Sequence, residues 1–302
     1  MTTDLATAAI PVDPPALLVR CLDERRSRYM KQLRRCSKSC DEKKVHDLRV
    51  ATRRLMTCLD SIMLVHTDRR LKETRRVLKK NLSLFGPLRD VQVQILAVTG
   101  LLPRYPQLET FLTVLLLREK IVLRRIAKHL AQNAPRMEAR SFTTLKKDLR
   151  EKFSGKKMQE AMMEALKGWV ALTFAKAADL LASVDASNTE TIHCLRLSFK
   201  KFRYNIEMFH PLLGGLSEGQ PKAMDSYQVR MGEIQDIEVL MASIDRFVLQ
   251  RRRARPAVFL PVRKELALKR KVLIDTFMES REELLTFWRD ASRTTSATSV
   301  QP

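Results

Sequence analysis

The chain combines a high hydrophobic content with a large excess of positive charge. It has 302 residues, 45% of them hydrophobic, which suffices for a large core; its longest apolar run, 111–117, falls far short of the ~20 residues that span a membrane. The 56 Lys and Arg residues against 34 Asp and Glu leave a formal net charge of +22. A net magnitude of about 2–8 already keeps a small domain in solution, so a polyanionic partner explains this charge better than a generic basic surface.

Apolar residues recur at steps of three and four along almost the whole chain, and this spacing predicts helices. Leu48, Leu55, Leu59 and Ile62 are one example. No segment alternates in the manner of a half-buried strand. We therefore expect an all-α fold. Proline and glycine divide the pattern into eight predicted helices, at about 15–37, 42–65, 68–98, 105–132, 157–184, 189–210, 217–250 and 257–290.

The remaining segments have distinct compositions. Residues 1–14 form an N-terminal extension without the basic and apolar parts of a secretory signal. Residues 133–156, rich in lysine, are expected to connect a first half (about 15–132) to a second (about 157–290). The polar tail 291–302 is expected to be disordered.

Five scattered cysteines favour free thiols in a reducing cytoplasm. Cys36 and Cys40 lie one helical turn apart and could chelate a metal, but no second pair follows at the spacing of a zinc site. Small core residues are therefore the better interpretation of this pair. We expect a soluble protein with no bound metal.

The two halves of the chain match in three blocks that occur in the same order. VHDLRVATRRL at 45–55 matches IHCLRLSFKKF at 192–202, GPLRDVQV at 86–93 matches GEIQDIEV at 232–239, and REKIVLRR at 118–125 matches RKELALKR at 263–270. The offsets between corresponding residues are 147, 146 and 145. Offsets this constant predict a tandem duplication of a four-helix unit, each copy forming a bundle.

The first block carries a stripe of basic side chains. On a helix, His46, Arg49 and Arg53 fall within about 60° of one another, opposite Leu48 and Leu55. For a single helix a solvated basic face would be the ordinary interpretation, because like charges at this spacing repel. The second block repeats the stripe, histidine included, and the repetition favours a binding role.

Further cations recur elsewhere, since Arg118 and Arg125 correspond to Arg263 and Arg270. Asp90 and Asp236, also matched, are expected to be structural, each holding a neighbouring arginine or capping a helix. The candidate polyanion-binding residues are His46, Arg49, Arg53, Arg54, Lys79, Arg118, Arg125, His193, Arg196, Lys200, Lys201, Arg203, Arg263 and Arg270.

The doubled pattern, HDLRVATRRL with GPLRDVQV and HCLRLSFKKF with GEIQDIEV, resembles the CHAD family, the conserved histidine α-helical domain, over about residues 15–290. The resemblance implies two four-helix bundles related by a pseudo-twofold, with a basic central groove or pore between them. Members are associated with inorganic polyphosphate and its granules. The implied function is non-catalytic binding of polyphosphate or a similar linear polyanion, in the cytoplasm and at such granules. The family's histidine and basic positions correspond to His46, Arg49, Arg53, Arg54, His193, Arg196, Lys200 and Lys201.

Side-chain chemistry suits this function. Arginine offers a planar fork for two phosphoryl oxygens, and lysine a point charge. Counterion release should make the affinity strongly dependent on salt. Neighbouring cations should lower the pKa of His46 and His193 in the empty site, so we expect both to take up protons on binding.

Three rival functions fit the sequence less well. Nucleic acid is a weaker partner, because only 6% of residues are aromatic and few besides Tyr204 interleave with the basic stripe. Catalysis on phosphates, or an accessory role to a phosphate-metabolising enzyme, is the next alternative. SGKK at 154–157 lacks the first glycine of a phosphate-binding loop and no carboxylate set accompanies the stripe, so we expect no catalytic residue and no cofactor. Metal chelation by His46 and His193 is opposed by the surrounding cations.

Overall fold

Helices account for nearly all of the chain in the computed structural model, which describes residues 13–132, 139–214, 217, 219–250 and 256–288. The expected all-α fold is confirmed, since no strand occurs in these ranges beyond an isolated bridge between Asp185 and Asn188. Within the same ranges, no helix has the length and hydropathy required to cross a membrane. The α-helices are α1 Pro14–Lys38, α2 Glu42–Val65, α3 Arg69–Leu84, α4 Gly86–Leu101, α5 Glu109–Gln132, α6 Ala139–Lys152, α7 Lys156–Ala182, α8 Thr189–Phe209, α9 Gln220–Gln250 and α10 Leu260–Ser280.

Short 3-10 segments accompany these helices at Pro106–Leu108, His210–Leu212, Pro256–Phe259 and Arg281–Thr286. The two helices that carry the histidine blocks begin at side-chain caps. The Asp41 carboxylate accepts the backbone N–H of Lys44 at 2.9 Å at the start of α2, and the Asn188 amide oxygen accepts that of Glu190 at 3.2 Å at the start of α8. Such caps satisfy backbone donors that have no partner inside the helix.

The structure corrects the predicted helix count in two places. The predicted helix 68–98 is broken into α3 and α4 at Phe85, because Pro87 in the first turn of α4 lacks an N–H and excludes the carbonyl one turn before it. The connecting segment 133–156 contains α6, which buries Phe142, Leu145 and Leu149 at helical spacing. The predictions for 1–12, for 133–138 and for the tail 291–302 lie outside the described residues.

Packing places α2 and α8 in the middle of the molecule. In the amino-terminal half, α2 packs against α1 and α3, and α4 against α5; in the carboxyl-terminal half, α8 packs against α7 and α9, and α9 against α10. The halves meet where α2 contacts α8 and α4 contacts α9. The core behind these helices includes Tyr29 and Leu55 on one side and Phe199 and Tyr227 on the other, all fully buried. The first two pairs of matched blocks, on α2 and α8 and on α4 and α9, therefore lie at the junction.

Three of the cysteines, Cys21, Cys36 and Cys58, are buried in the core. The Cys40 thiol donates to the carbonyl of Cys36 at 2.9 Å, and the two sulfurs lie 3.5 Å apart without a disulfide. The pair therefore packs where α1 ends and the chain turns into α2.

Candidate anion-binding site

α2 and α8 are joined by polar contacts. The Ser61 hydroxyl donates to the Asn205 side-chain oxygen at 3.4 Å between two fully buried residues, and Arg54 forms an ion pair of 2.8 Å with Glu207. The Arg54 guanidinium also lies over the Tyr204 ring, 5.6 Å from its centroid. These contacts hold the two helices side by side, so that their basic residues face a common region.

Four basic side chains form what we call the cationic cluster: Arg49 and Arg53 of α2, and Arg196 and Lys200 of α8. Burial is the largest cause that lowers the pKa of Lys200, and the fields of Arg196 and Arg53 lower it further, to about 6. Arg49 acts on Lys200 in the same direction. The pKa of Arg49 and that of Arg196 are each lowered, first by burial, with Arg53 contributing to both. The cluster is thus one electrostatic unit drawn from both halves.

The cluster lacks counter-charges in contact with it. Among the residues that the structure describes, no carboxylate forms a salt bridge with any of its four members. Neighbouring arginines differ: Arg54 pairs with Glu207, and Arg203 with Asp225 and Glu207. Partly buried cations without partners are costly. An anion that enters the site would remove that cost.

A glycine backs the matched arginine in each half. A Cβ atom on Gly86 would lie 3.5 Å from Arg49 Nη1, and one on Gly232 would lie 3.2 Å from Arg196 Nη2. Gly86 and Gly232 are matched in the sequence, but the sequence does not indicate their structural role. The structure shows that they leave room for guanidinium groups to approach helices α4 and α9. Arg49 Nη1 also donates to the carbonyl of Leu82 at 2.9 Å, whereas Arg196 Nε is buried without a hydrogen-bond partner.

The two histidines have different surroundings. The side chain of His46 is exposed, yet desolvation is the largest cause that lowers its pKa. The carboxylate of Asp47 raises this pKa, and the charges of Lys200 on α8 and of Arg49 lower it further. Burial, rather than the neighbouring cations that the sequence pointed to, is therefore the main cause. His193 is half-buried, and its Nδ1 has no hydrogen-bond partner.

The matched carboxylates of Asp90 and Asp236 influence the arginines electrostatically without contacting them. Asp90 acts on Arg49, and Asp236 acts on Arg196 and on Arg89 of the other half. The pKa of Asp236 is raised chiefly by burial. The side chain is nevertheless exposed, and it lines a cavity between α4, α9 and α10. Neither aspartate forms a salt bridge with a described residue, so their influence on the arginines is through space.

Other residues expected in the site have different partners. Arg54 and Arg203 are the ion-paired arginines described above. Lys201 lies over the Trp169 ring, 4.4 Å from its centroid, and its pKa is lowered mainly by burial, with Asp60 opposing. That environment lies between α8 and α7, and Asp60 of α2 is also within electrostatic reach. The positive charges of these three residues are already engaged by carboxylates or by an aromatic ring, so they add little free charge to the cluster.

The remaining candidates are on the helices α3, α5 and α10. Lys79 is exposed on α3, and Arg118 and Arg125 are exposed on α5. On α10, Arg263 pairs with Asp245 at 2.8 Å and Arg270 pairs with Glu238. α5 and α10 pack against α4 and α9, so Arg118, Arg125, Arg263 and Arg270 are on helices next to α4 and α9, whereas Lys79 is on α3, which packs against α2.

The fold and site define an all-helical protein with an uncompensated cationic cluster where its halves meet. The chain matches the family model of the CHAD domain over residues 20–245 and belongs to that family. It also resembles the crystal structure of the CHAD domain from the plant Ricinus communis, with a TM-score of 0.64 and 18% identity over 93% of this chain and 96% of that one. At this identity the likeness shows the fold alone. A comparison with curated proteins finds no match.

Proposed function

We propose that this protein binds inorganic polyphosphate, or a similar linear polyanion, without catalysing its conversion. The observation that carries the proposal is the cationic cluster: four basic side chains from two helices converge without a salt-bridged carboxylate among the described residues. The family is linked to polyphosphate binding in general, which agrees with this chemistry. A string of phosphates supplies the counter-charges that the protein itself does not.

The shape of the ligand follows from the arrangement of the cluster. Arg49 and Arg53 come from one helix, and Arg196 and Lys200 from another that lies beside it. A linear polyanion can contact both helices at once and accumulate charge-assisted hydrogen bonds along its length. A single phosphate would satisfy only part of the cluster.

The proposal includes the organisation of the chain. We infer that residues 15–290 form one CHAD domain, in which two four-helix units, about 15–132 and 157–290, are related by a pseudo-twofold through the junction. The matched pairs Arg49 with Gly86 and Arg196 with Gly232 support this relation, because each arginine meets its glycine in the same way. Binding of this kind would target the protein to polyphosphate granules.

The test is a titration of labelled polyphosphate of defined length, followed by fluorescence anisotropy at two salt concentrations. Each charged contact contributes about 1.5–3 kcal/mol when desolvated, so Arg49→Ala combined with Arg196→Ala should weaken binding by about a hundredfold or more. Four phosphate contacts predict a slope of about −3 for log affinity against log salt, and the double variant should have a smaller slope.

The matched control removes the same charge elsewhere. Arg69 and Lys147 have exposed side chains, 90% and 73%, in surface ion pairs. Arg69→Ala combined with Lys147→Ala should change affinity little, since surface ion pairs contribute about 0–1 kcal/mol. Equal losses in the two double variants would mean that net charge, rather than the cluster, determines binding.

Two further measurements separate the rival functions. Competition between long-chain polyphosphate and DNA at matched phosphate concentration and salt should favour polyphosphate; a preference for DNA would contradict the proposal. Incubation with polyphosphate and magnesium or manganese should release no phosphate. Release that disappears in the Arg49→Ala, Arg196→Ala variant would instead indicate an enzyme.

A further inference from the structure

A cavity of about 390 Å³ lies between α4, α9 and α10, and Asp236 is among the residues that line it. Its volume falls within the range of sites that bind small molecules, about 300–1,000 Å³. The α4 wall includes the small residues Ala97 and Gly100, which leave the space unfilled. The cavity therefore has the size of a ligand site, and none of the four members of the cationic cluster lines it.

A buried acceptor without a donor lines this cavity. Gln94 is only 4% exposed, and its Oε1 has no hydrogen-bond partner. Buried polar atoms of this kind are rare in folded proteins and call for an explanation. Packing does not require an amide here, because the matched position in the other half, 146 residues later, is Leu240. The amide oxygen is available to a ligand that donates a hydrogen bond.

Three carboxylates and one ammonium, that of Lys269, line the cavity in a chain of net charge +22. Glu233 and Asp236 lie one turn apart on α9, and within the described chain neither forms a salt bridge. The third lining carboxylate, Glu265, is already satisfied by Arg104 at 2.7 Å and by the Tyr105 hydroxyl at 2.6 Å, with Lys269 nearby. Glu233 and Asp236 therefore have no ion-pair partner among the described residues, while Asp236 also lies in the field of Arg196 and Arg89.

The rest of the lining is apolar. Leu96 of α4 is 57% exposed where it borders the cavity, and Leu101, Ile237 and Leu273 continue the same surface. We propose that the cavity binds a small organic cation, a primary ammonium joined to an apolar body. The three N–H donors of the ammonium match the three free acceptors, Gln94 Oε1 and the carboxylates of Glu233 and Asp236, while the apolar body lies along the leucines.

The inference is tested in the full chain, without polyphosphate, by ligand-observed NMR titration with phenethylammonium at constant ionic strength. Two probes of the same size serve as comparisons: neutral 2-phenylethanol and anionic phenylacetate. The overall positive charge of the protein disfavours cations, so tighter binding of the ammonium must come from the cavity. We expect the order ammonium, alcohol, carboxylate, with about tenfold between the first two.

Variants locate the binding. Gln94→Leu should weaken ammonium binding by about tenfold, and Ala97→Phe should abolish it by filling the space. Leu172→Phe, at a position 60% exposed on α7, adds the same ring outside the cavity and should have no effect. Circular dichroism and thermal melting check that each variant folds.

Several results would overturn the proposal. They are the absence of saturable ammonium binding, phenylacetate binding that is as tight as that of the ammonium and is likewise lost in Ala97→Phe, or ammonium binding unchanged in folded Ala97→Phe. Because the assay contains no polyanion, its outcome is independent of the proposed function. Loss of polyphosphate binding in the arginine variants would leave this inference standing, and the reverse also holds.

Discussion

Arg49 and Arg196 occupy matched positions in the two halves, yet the protein holds them differently. The guanidinium of Arg49 donates to the Leu82 carbonyl at 2.9 Å, where α3 ends before the break at Phe85. In the other half α9 runs without a break from Gln220 to Gln250, and Arg196 Nε has no hydrogen-bond partner. One arginine thus stabilises the fold while it faces the site, whereas the other is held in place at a cost.

The sequence difference behind this contrast is small. Gly86 is followed by Pro87, and its counterpart Gly232 is followed by Glu233. Proline ends the preceding helix, which exposes a carbonyl to Arg49. Glutamate lets α9 continue, so its backbone carbonyls stay within the helix and Arg196 finds no equivalent acceptor. Matched positions in the two halves can therefore hold the same residue and differ in how that residue affects stability.

Replacing each arginine by methionine is expected to have the largest effects on binding and to separate the two arginines by their effects on stability. Either variant should lose about 1.5–3 kcal/mol of polyphosphate binding. Stability should change in opposite directions: Arg49→Met loses a hydrogen bond and should be less stable by about 1 kcal/mol, whereas Arg196→Met removes an unsatisfied buried group and should be more stable by a similar amount. Urea unfolding and anisotropy titrations measure both quantities. Stability changes of the same sign and size would contradict the contrast.

A second difference concerns Lys200, which stands where the first half has Arg53. The pKa of Lys200 is lowered from its ordinary value of 10.5 to about 6, mainly by burial and then by the neighbouring arginines. The free protein at pH 7.5 therefore holds this side chain mostly neutral. A bound polyanion favours the charged form, so binding should take up as much as about one proton, and affinity should fall by up to tenfold per pH unit above pH 6.

Calorimetry in buffers of different ionisation enthalpy measures this proton uptake. Lys200→Arg should remove most of it, because arginine stays charged throughout. His46→Gln, which tests uptake at the histidine, should leave most of it at pH 7.5. The same linkage acts on folding. Between pH 6 and 10.5 the unfolded chain binds a proton at Lys200 and the folded chain does not. The free energy of unfolding of the free protein should therefore fall as the pH is lowered from 10.5 to 6. Uptake unchanged in Lys200→Arg would assign it to another group.

The fold was largely predictable because helical periodicity is a local property. The predicted helices 42–65 and 189–210 agree with α2 and α8 to within one residue at each end. The break at Phe85 was missed because Leu78, Phe85 and Leu88 continue the apolar spacing through it. The helix α6 was missed because lysines dominate its composition, although its three buried apolar residues are correctly spaced.

The site was predictable only in part. The repeated stripe identified the members of the cationic cluster, since spacing on a helix determines which side chains share a face. The ion pairs of Arg54 with Glu207 and of Arg203 with Asp225 join residues far apart or on different helices, so spacing along one helix could not reveal them. The lowered pKa of Lys200 depends on how deeply α8 is buried, which is likewise a property of the packing.

The smallest expected effect concerns Arg89, whose counterpart is Gln235. Arg89 pairs with Glu42, and the residue matched to Glu42 is Thr189, whose hydroxyl donates to Glu238 at 2.9 Å. The second half therefore lacks both members of the pair, and its glutamine removes no free positive charge. Gln235→Arg should add an unpaired cation near the site and tighten polyphosphate binding by about twofold to threefold at low salt. Adding Thr189→Glu supplies the missing carboxylate and should return the affinity to the wild-type value in the same anisotropy titration. If the double variant bound as tightly as Gln235→Arg, the ion pair with Glu42 would not be the reason that Arg89 contributes little to binding.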